Sequence, residues 1–317
     1  MKFFVSESFS PESLSILKSN SKVSLLEEAN KFEAEVLLIR SHTKVSQNFL
    51  KDYKDLKLIV TATSGFDHIH LDACSERGVK VSFCPEANAQ STAEHTLFLM
   101  LSLLRGARQQ DRSLRGGDWK SNLTRGRLLH HKIIGVVGLG RVGQRVAKLC
   151  QAFGAKVVAH DPYQDDGVFD SLRVERKGFT EVLKESDILT FHVPLTSETH
   201  HMINGSTISE MSDETYLINA SRGDVVEESD LSMALKQGHL AGAALDVFKK
   251  EPMESKSFLL KEPKLFLTPH TGAYTLEAWE AASMEAVQKA ILFAEGQDIG
   301  NLLPLTTPWF KKSLFPT

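Results

Sequence analysis

The sequence predicts an α/β chain of two domains, each built on a parallel sheet, with one domain inserted into another made from both chain ends. Three observations lead there. The 317 residues exceed what one hydrophobic core of ordinary size organises, so about two domains are expected. Short apolar strands alternate with helical stretches, the pattern of parallel sheets with covered faces. A glycine-rich turn between a strand and a helix, at residues 138–143, opens the second of two such series.

Residues 3–5 and 36–39 read as strands with a polar helix between them. Residues 58–61 and 79–83 read as two more, separated by the turn Ser64-Gly65-Phe66-Asp67. Residues 92–104 are apolar nearly all round and read as a buried helix. The apolar strand 133–137 feeds Gly138-Leu139-Gly140-Arg141-Val142-Gly143. After it, Val146, Leu149, Cys150 and Phe153 recur at helical spacing up to Gly154. Strand 156–160 ends at Asp161, and further strands are expected at 188–193, 216–220, 241–247 and 265–268. A helix over 276–295, closed by Gly296, is long enough to reach back to the first domain. The expected domains are 1–96 with 288–317, and 97–287, with a cleft between them.

The glycine run carries a mechanism. Gly138 allows a tight turn, Gly140 lets backbone approach a pyrophosphate, and Gly143 lets the helix pack close to its strand. The helix N-terminus adds unpaired N–H groups and a positive dipole end. Asp161 stands close to the roughly 20-residue offset of a carboxylate that holds the adenosine ribose and repels a 2′-phosphate. Asp165 and Asp166 follow, with no arginine until Arg173. The reading is a Rossmann-like domain that prefers NAD to NADP.

Composition excludes several classes. The hydrophobic content of 42%, charged content of 24% and formal net charge of −3 give no electrostatic case for nucleic acid or an anionic membrane. Cys74, Cys84 and Cys150 form no CxxC pair, so neither a disulfide framework nor a zinc site is expected. The N-terminal MKFFVSESFS lacks a signal-peptide apolar region, and the longest apolar run, 97–104, is too short to span a bilayer. A cytoplasmic protein is expected. His68 and His70 flank apolar Ile69, and His130-His131 and His200-His201 have no carboxylate or cysteine at metal spacing. No metal is expected. Glu94-His95 is read as helix capping or hinge packing. No GxSxG or GxxxxGK[ST] motif is present.

In a doubly wound sheet ligands bind at the carboxyl ends of strands. Arg222 follows the strand at 216–220, Glu251 the strand at 241–247, and His270 the strand at 265–268. Reducing a 2-keto acid needs a cation for the carboxylate, a hydride donor and a proton donor for the alkoxide. The planar fork of Arg222 suits the first. His270 can move a proton near neutral pH, and a neighbouring Glu251 would raise its pKa and fix its orientation.

The chain resembles the D-isomer-specific 2-hydroxyacid dehydrogenases, a group that includes D-3-phosphoglycerate dehydrogenases and glyoxylate/hydroxypyruvate reductases. The resemblance runs nearly end to end. It includes Ile39-Arg40-Ser41-His42-Thr43, Gly65-Phe66-Asp67-His68-Ile69, Ala93-Glu94-His95 and the glycine loop with Val137. It continues through His192-Val193-Pro194-Leu195-Thr196, Asn219-Ala220-Ser221-Arg222-Gly223, Ala244-Leu245-Asp246-Val247-Phe248, Glu251-Pro252 and Thr268-Pro269-His270. The resemblance implies that Arg222, Glu251 and His270 are the catalytic residues. It implies that the backbone of Arg141 and Val142 meets the pyrophosphate, that Asp161 is the ribose acid, and that Asp246 holds the nicotinamide carboxamide. Ser64, Val193 and Ala220 would line the cofactor cleft. The backbone of Ser64, Gly65 and Phe66 would help Arg222 hold the substrate carboxylate. A homodimer through the nucleotide domains is implied, with residues 106–119 in the dimerising arm.

Phosphoglycerate-type members place basic residues where the substrate phosphate lies. Arg40 matches one, but the position four before Gly65 is Thr61, and His42 compensates only in part. One arginine anchors a dianionic phosphate weakly compared with a two-arginine clamp. The end at Thr317 leaves no room for the regulatory domains of longer phosphoglycerate enzymes. A small unphosphorylated acid such as glyoxylate or hydroxypyruvate is therefore expected. The alternatives are a D-3-phosphoglycerate dehydrogenase of serine biosynthesis and a non-catalytic NAD(H)-sensing binding protein.

Overall fold

The computed structural model describes residues 1–305 and 307–312. The chain forms two compact units, Met1–Ala89 with Ala273–Thr317, and Gln90–Gly272. The end of the expected 288–317 segment, residues 313–317 with 306, lies outside the described residues.

The first unit holds β1 (Lys2–Val5), β2 (Ser24–Leu25), β3 (Val36–Ile39), β4 (Leu58–Thr61) and β5 (Lys80–Phe83), parallel in the order β2-β1-β3-β4-β5. The short strand Leu302–Leu303 adds antiparallel to β5. All four residues of β3 and of β4 are buried. Leu37, Ile39 and Ile59 face one apolar cluster, while Val36, Leu38, Leu58 and Val60 face another, the period-2 alternation of a sheet covered on both sides.

The second unit holds β6 (Ile133–Val137), β7 (Lys156–His160), β8 (Glu175–Arg176), β9 (Ile188–Phe191), β10 (Tyr216–Asn219), β11 (Gly242–Leu245) and β12 (Leu265–Leu267). They are all parallel, in the order β8-β7-β6-β9-β10-β11-β12. The chain runs outward from β6 on one side and returns to its other side with β9. The switch in strand order therefore falls between the loops that follow β6 and β9, where such sheets open a ligand crevice.

The units meet in sequence at 89/90 and 272/273, whereas the reading from sequence alone sets them at 96/97 and 287/288. Each expected boundary falls inside a helix that packs whole on one side. The helix Ala89–Arg105 buries Ala93, Leu99, Met100 and Leu104 with Ile134 and Val136 of β6. The helix Leu276–Ala294 buries Ala282, Ala286, Val287 and Ala290 with residues of β3 and β4. The first of these helices is one-sided in this chain, with Phe98 47% exposed, rather than apolar all round. Among the described residues no helix is long and apolar enough to cross a membrane.

Candidate active site

The loop after β6 is built around its glycines. Gly138 has φ +91°, and a Cβ there would lie 2.5 Å from the His192 carbonyl oxygen beyond β9, so a side chain would part the two loops. A Cβ on Gly143 would run into the Gly138 carbonyl, which fixes the helix Arg141–Ala152 against its own loop. A Cβ on Gly140 would meet no protein atom within 4 Å. That residue N-caps the helix and offers its first turn no side-chain acceptor. The Asp161 carboxylate accepts the Leu139 N–H at 2.8 Å and the Tyr163 N–H at 2.9 Å, tying the end of β7 to the loop. A dinucleotide fits this arrangement: backbone donors and a dipole end for the pyrophosphate, and an acid one strand over for a ribose. Val193 and Ala220, at the ends of the neighbouring strands, pack onto the core beneath.

One feature differs from the sequence expectation. No arginine stands near Asp161 in the sequence before Arg173, but β8 pairs with β7 and sets Arg176 opposite Ala159. The Arg176 guanidinium donates to the Asp161 carbonyl at 3.2 Å, pairs with Asp166 and lies over the Phe169 ring at 4.9 Å. A two-residue strand leaves no periodic signal from which this could be read.

The turn after β10 is organised by Asn219, which is fully buried. Its Oδ1 accepts the Ser221 N–H at 3.0 Å and the Ser221 hydroxyl at 2.8 Å, while its Nδ2 donates to the Arg222 carbonyl at 2.8 Å. The Arg222 guanidinium donates back to the Ser221 carbonyl at 2.7 Å. A Cβ on Gly223 would collide with the Phe248–Lys249 backbone, so only glycine lets this turn lie against the segment leading to Glu251.

Glu251 and His270 meet there. His270 Nδ1 lies 2.6 Å from Glu251 Oε2, and Glu251 Oε1 accepts the Phe248 N–H at 2.9 Å. The bond to Glu251 raises the His270 pKa, and burial and the Arg222 charge only partly oppose it. Burial pushes the Glu251 carboxyl up, but His270, the Phe248 N–H and Arg222 outweigh it and hold the carboxyl below its usual value. His270 adopts φ +54°, with its N–H bonded to the Asp246 carbonyl at 2.8 Å.

Asp246 is 1% exposed and holds the His270 loop from below. Its Oδ1 accepts from the Thr268 hydroxyl at 2.6 Å and the Thr271 N–H at 2.8 Å, with His95 Nε2 at 3.2 Å. Its Oδ2 accepts the Gly272 N–H at 2.8 Å. Burial alone would raise this carboxyl, but His95, Thr268 and Thr271 bring it down to about 2. His95 therefore braces Asp246. The sequence gives no sign of this link, because the partners lie far apart along the chain and only the fold brings them together.

In the first unit, Arg40 is half-buried, its Nη1 3.3 Å from the Ser283 hydroxyl and its guanidinium 5.9 Å from the Phe9 ring centre. Glu7 accepts the backbone N–H of Arg40, His42 and Thr43 and fixes their loop. Thr61 is fully buried and shares its hydroxyl with Thr63 and His68. The Thr63 hydroxyl donates to the Gly65 carbonyl at 2.6 Å, which shapes the turn carrying Ser64 and Gly65. His70 caps the helix Leu71–Glu76 through the Ala73 N–H. Elsewhere in the second unit, the fold sets Asp224 beside His200 and His201, a carboxylate that the sequence spacing hides.

Fold and site together define a dinucleotide-binding α/β protein with an arginine and a glutamate-paired histidine at its strand ends. Residues 97–272 match the model of the D-isomer specific 2-hydroxyacid dehydrogenase NAD binding domain. The chain is 37% identical over 315 residues to D-3-phosphoglycerate dehydrogenase of Archaeoglobus fulgidus, covering 96% of this chain and 59% of that protein. It is 38% identical over 259 residues to hydroxypyruvate reductase of Thermotoga maritima, covering 81% of this chain and 84% of that one. The crystal structure of D-lactate dehydrogenase from Aquifex aeolicus, complexed with NAD and lactic acid, superposes with a TM-score of 0.84 at 31% identity. It covers 97% of this chain and 100% of that one. The chain belongs to the D-isomer specific 2-hydroxyacid dehydrogenase family. It spans little more than half the length of the phosphoglycerate dehydrogenases it matches.

Proposed function

We propose that the protein is an NAD-dependent oxidoreductase that interconverts D-2-hydroxyacids and 2-keto acids, acting on a small unphosphorylated acid such as glyoxylate or hydroxypyruvate. The observation that carries this reading is the Glu251–His270 pair, 2.6 Å apart, within the electrostatic reach of Arg222. These three are the catalytic residues of the proposal. Bound NAD(H) supplies the hydride. Gly138, Gly140 and Gly143 shape the loop that receives the pyrophosphate, the backbone N–H groups of Arg141 and Val142 meet it, and Asp161 holds the ribose. Val193, Ala220 and Ser64 line the cofactor, and Asp246 orients the carboxamide while it supports the His270 loop.

Arg222 binds the substrate carboxylate through its planar fork. Glu251 stays ionised and takes His270 Nδ1, which leaves Nε2 to deliver a proton to the developing alkoxide or to take one from the hydroxyl. The left-handed backbone of His270, pinned by Asp246, holds the ring in that orientation. From the first unit, Arg40, Ser64 and Gly65 are assigned to the substrate. Preference for an unphosphorylated acid rests on Thr61, whose hydroxyl is engaged with Thr63 and His68 and which brings no second cation. Preference for NAD rests on Asp161, since Arg176 already has Asp166 and the Asp161 carbonyl as partners. A cytoplasmic homodimer belongs to the same proposal.

A second reading, D-3-phosphoglycerate oxidation, is favoured by the half-buried Arg40 and by the 37% identity to such an enzyme. NADH and NADPH oxidation with glyoxylate, hydroxypyruvate, pyruvate and phosphohydroxypyruvate separates the readings. Higher kcat/KM with hydroxypyruvate or glyoxylate than with phosphohydroxypyruvate, using NADH, is expected. The reverse order establishes the phosphorylated substrate. Tight NADH binding without turnover across the panel leaves a nucleotide-sensing protein in place of an enzyme.

A further inference from the structure

We propose that His200, His201 and Asp224 form a binding site for a borderline divalent transition-metal ion of the zinc, cobalt or nickel kind, with Glu227 as its supporting carboxylate. One donor atom from each of His200, His201 and Asp224 lies within 4.8 Å of the others. The arrangement is set by backbone as well as by side chains. His201 has φ +48°, a conformation that side-chain-bearing residues seldom hold without support. Its N–H donates to the Asp224 carbonyl at 2.7 Å, and its own carbonyl accepts from Asn204 Nδ2 at 2.9 Å. The next contacts, Ile203 N–H to the Val225 carbonyl at 3.1 Å and Glu227 N–H to the Ile203 carbonyl at 2.8 Å, extend this pairing. The ring of His201 is thus held against Asp224 by main chain on both sides.

The two nitrogens of that ring are in different situations. Nδ1 faces Glu227 Oε2 at 3.1 Å, while Glu227 Oε1 is occupied by the Ser229 hydroxyl at 2.9 Å. A carboxylate on Nδ1 keeps a proton there, which leaves a lone pair on Nε2. Nε2 is shut off from solvent and has no hydrogen-bond partner. The Asp224 Oδ1 atom stands 3.8 Å from it, beyond hydrogen-bond range. In the neutral ring, Nε2 and the Asp224 carboxylate are two acceptors facing each other, an arrangement that a cation between them relieves. Two ligands on one tetrahedral zinc ion are about 3.4 Å apart, so a small side-chain rotation closes the site. The His200 ring stacks on that of His201, with centres 3.9 Å apart, and supplies the third donor. Imidazole and carboxylate together suit borderline transition ions over magnesium or calcium, and carboxylate support of a ligating histidine is the usual outer partner of such sites. Water completes the coordination, because His200 is exposed.

The proposal is independent of the assigned dehydrogenase chemistry. The full chain, stripped with chelator and dialysed, is titrated with cobalt(II), read by visible d–d absorption and by thermal shift. One equivalent binding with a tetrahedral or five-coordinate spectrum is expected. Asp224→Asn and His201→Ala each weaken binding at least about tenfold, and Glu227→Gln by about 10–100-fold. His239→Ala, a histidine on another part of the same unit, leaves binding unchanged. His200→Ala, at an exposed position, tests the third ligand where a fold defect is not at issue. No binding by the wild-type chain up to millimolar cobalt overturns the site and leaves a proton as the bridge between His201 and Asp224. Equal binding by wild type, Asp224→Asn and His201→Ala overturns it as well, by placing the ion elsewhere.

Discussion

The proton that the proposed reaction moves is governed by the 2.6 Å contact between His270 and Glu251. The pair raises the His270 pKa and lowers that of Glu251, so imidazolium persists to higher pH than in a free histidine. Keto-acid reduction needs that imidazolium. Its rate is therefore full below the folded His270 value and falls as pH rises through it. In Glu251→Gln the raising partner is gone while Arg222 and burial still oppose charge, so the fall moves to lower pH; a pH profile of kcat/KM checks this. Loss of the fall altogether in that variant would show that another group controls it. His270→Ala is expected to lower kcat by about 10²–10⁴-fold with NADH affinity nearly unchanged, measured by nucleotide fluorescence. Arg222, Glu251 and His270 were legible in the sequence because each follows an apolar strand end in a recognisable motif. Asn219, His95 and the Phe248 N–H were not. Their roles depend on hydrogen bonds that only the finished fold closes.

At the level of elements, two close approaches set the geometry of the site. Gly223 brings the Arg222 turn against the Phe248–Lys249 backbone, where no Cβ has room. Gly223→Ala is expected to displace the guanidinium and lower kcat/KM about 10²-fold or more, with NADH binding held, since misplacement of about 1 Å costs that much. Unchanged kcat/KM would show that the turn has slack. Asp246 holds the segment 268–272 through two N–H groups, a hydroxyl and His95. Its folded pKa of about 2 lies below the ~3.9 of an unfolded aspartate. Its stabilisation is therefore complete above about pH 4 and is lost as pH falls toward 2. Asp246→Asn should cost about 2 kcal/mol or more at pH 7, and the gap to wild type in urea unfolding should shrink between pH 4 and 2. The four- and five-residue strands were legible because their runs are predominantly apolar. β2, β8 and Leu302–Leu303, two residues each, are too short to show a period, and Arg176 was hidden with β8. Helix faces were read less well, as Phe98 shows, because apolar residues can also lie outside the core.

At the scale of the whole molecule, the glycine loop, Asp161, Arg222, Asp246, Glu251 and His270 all fall within the continuous unit Gln90–Gly272. Its two apolar clusters are drawn entirely from its own residues, on the two faces of its sheet. The helix Ala89–Arg105 supplies part of one of them, so cutting at 96/97 would remove Ala93 from that core. The two-unit plan was legible in the repeated strand–helix series, whereas the points where the units divide lie at or just before helix starts, which depend on tertiary packing. A fragment of residues 90–272 is therefore expected to fold and to bind NADH by itself. Thermal melts should be cooperative, and NADH at 100 times its Kd should add about 2.7 kcal/mol of stability. Turnover should be lost, because Arg40, Ser64 and Gly65, assigned to the substrate, belong to the other unit. A fragment of residues 97–272, which lacks the first turns of that helix, is the comparison and should be less stable. Aggregation of the longer fragment, or a melt indifferent to NADH, would show that the unit draws its order from the rest of the chain. Full keto-acid turnover by the fragment would remove Arg40, Ser64 and Gly65 from the substrate assignment.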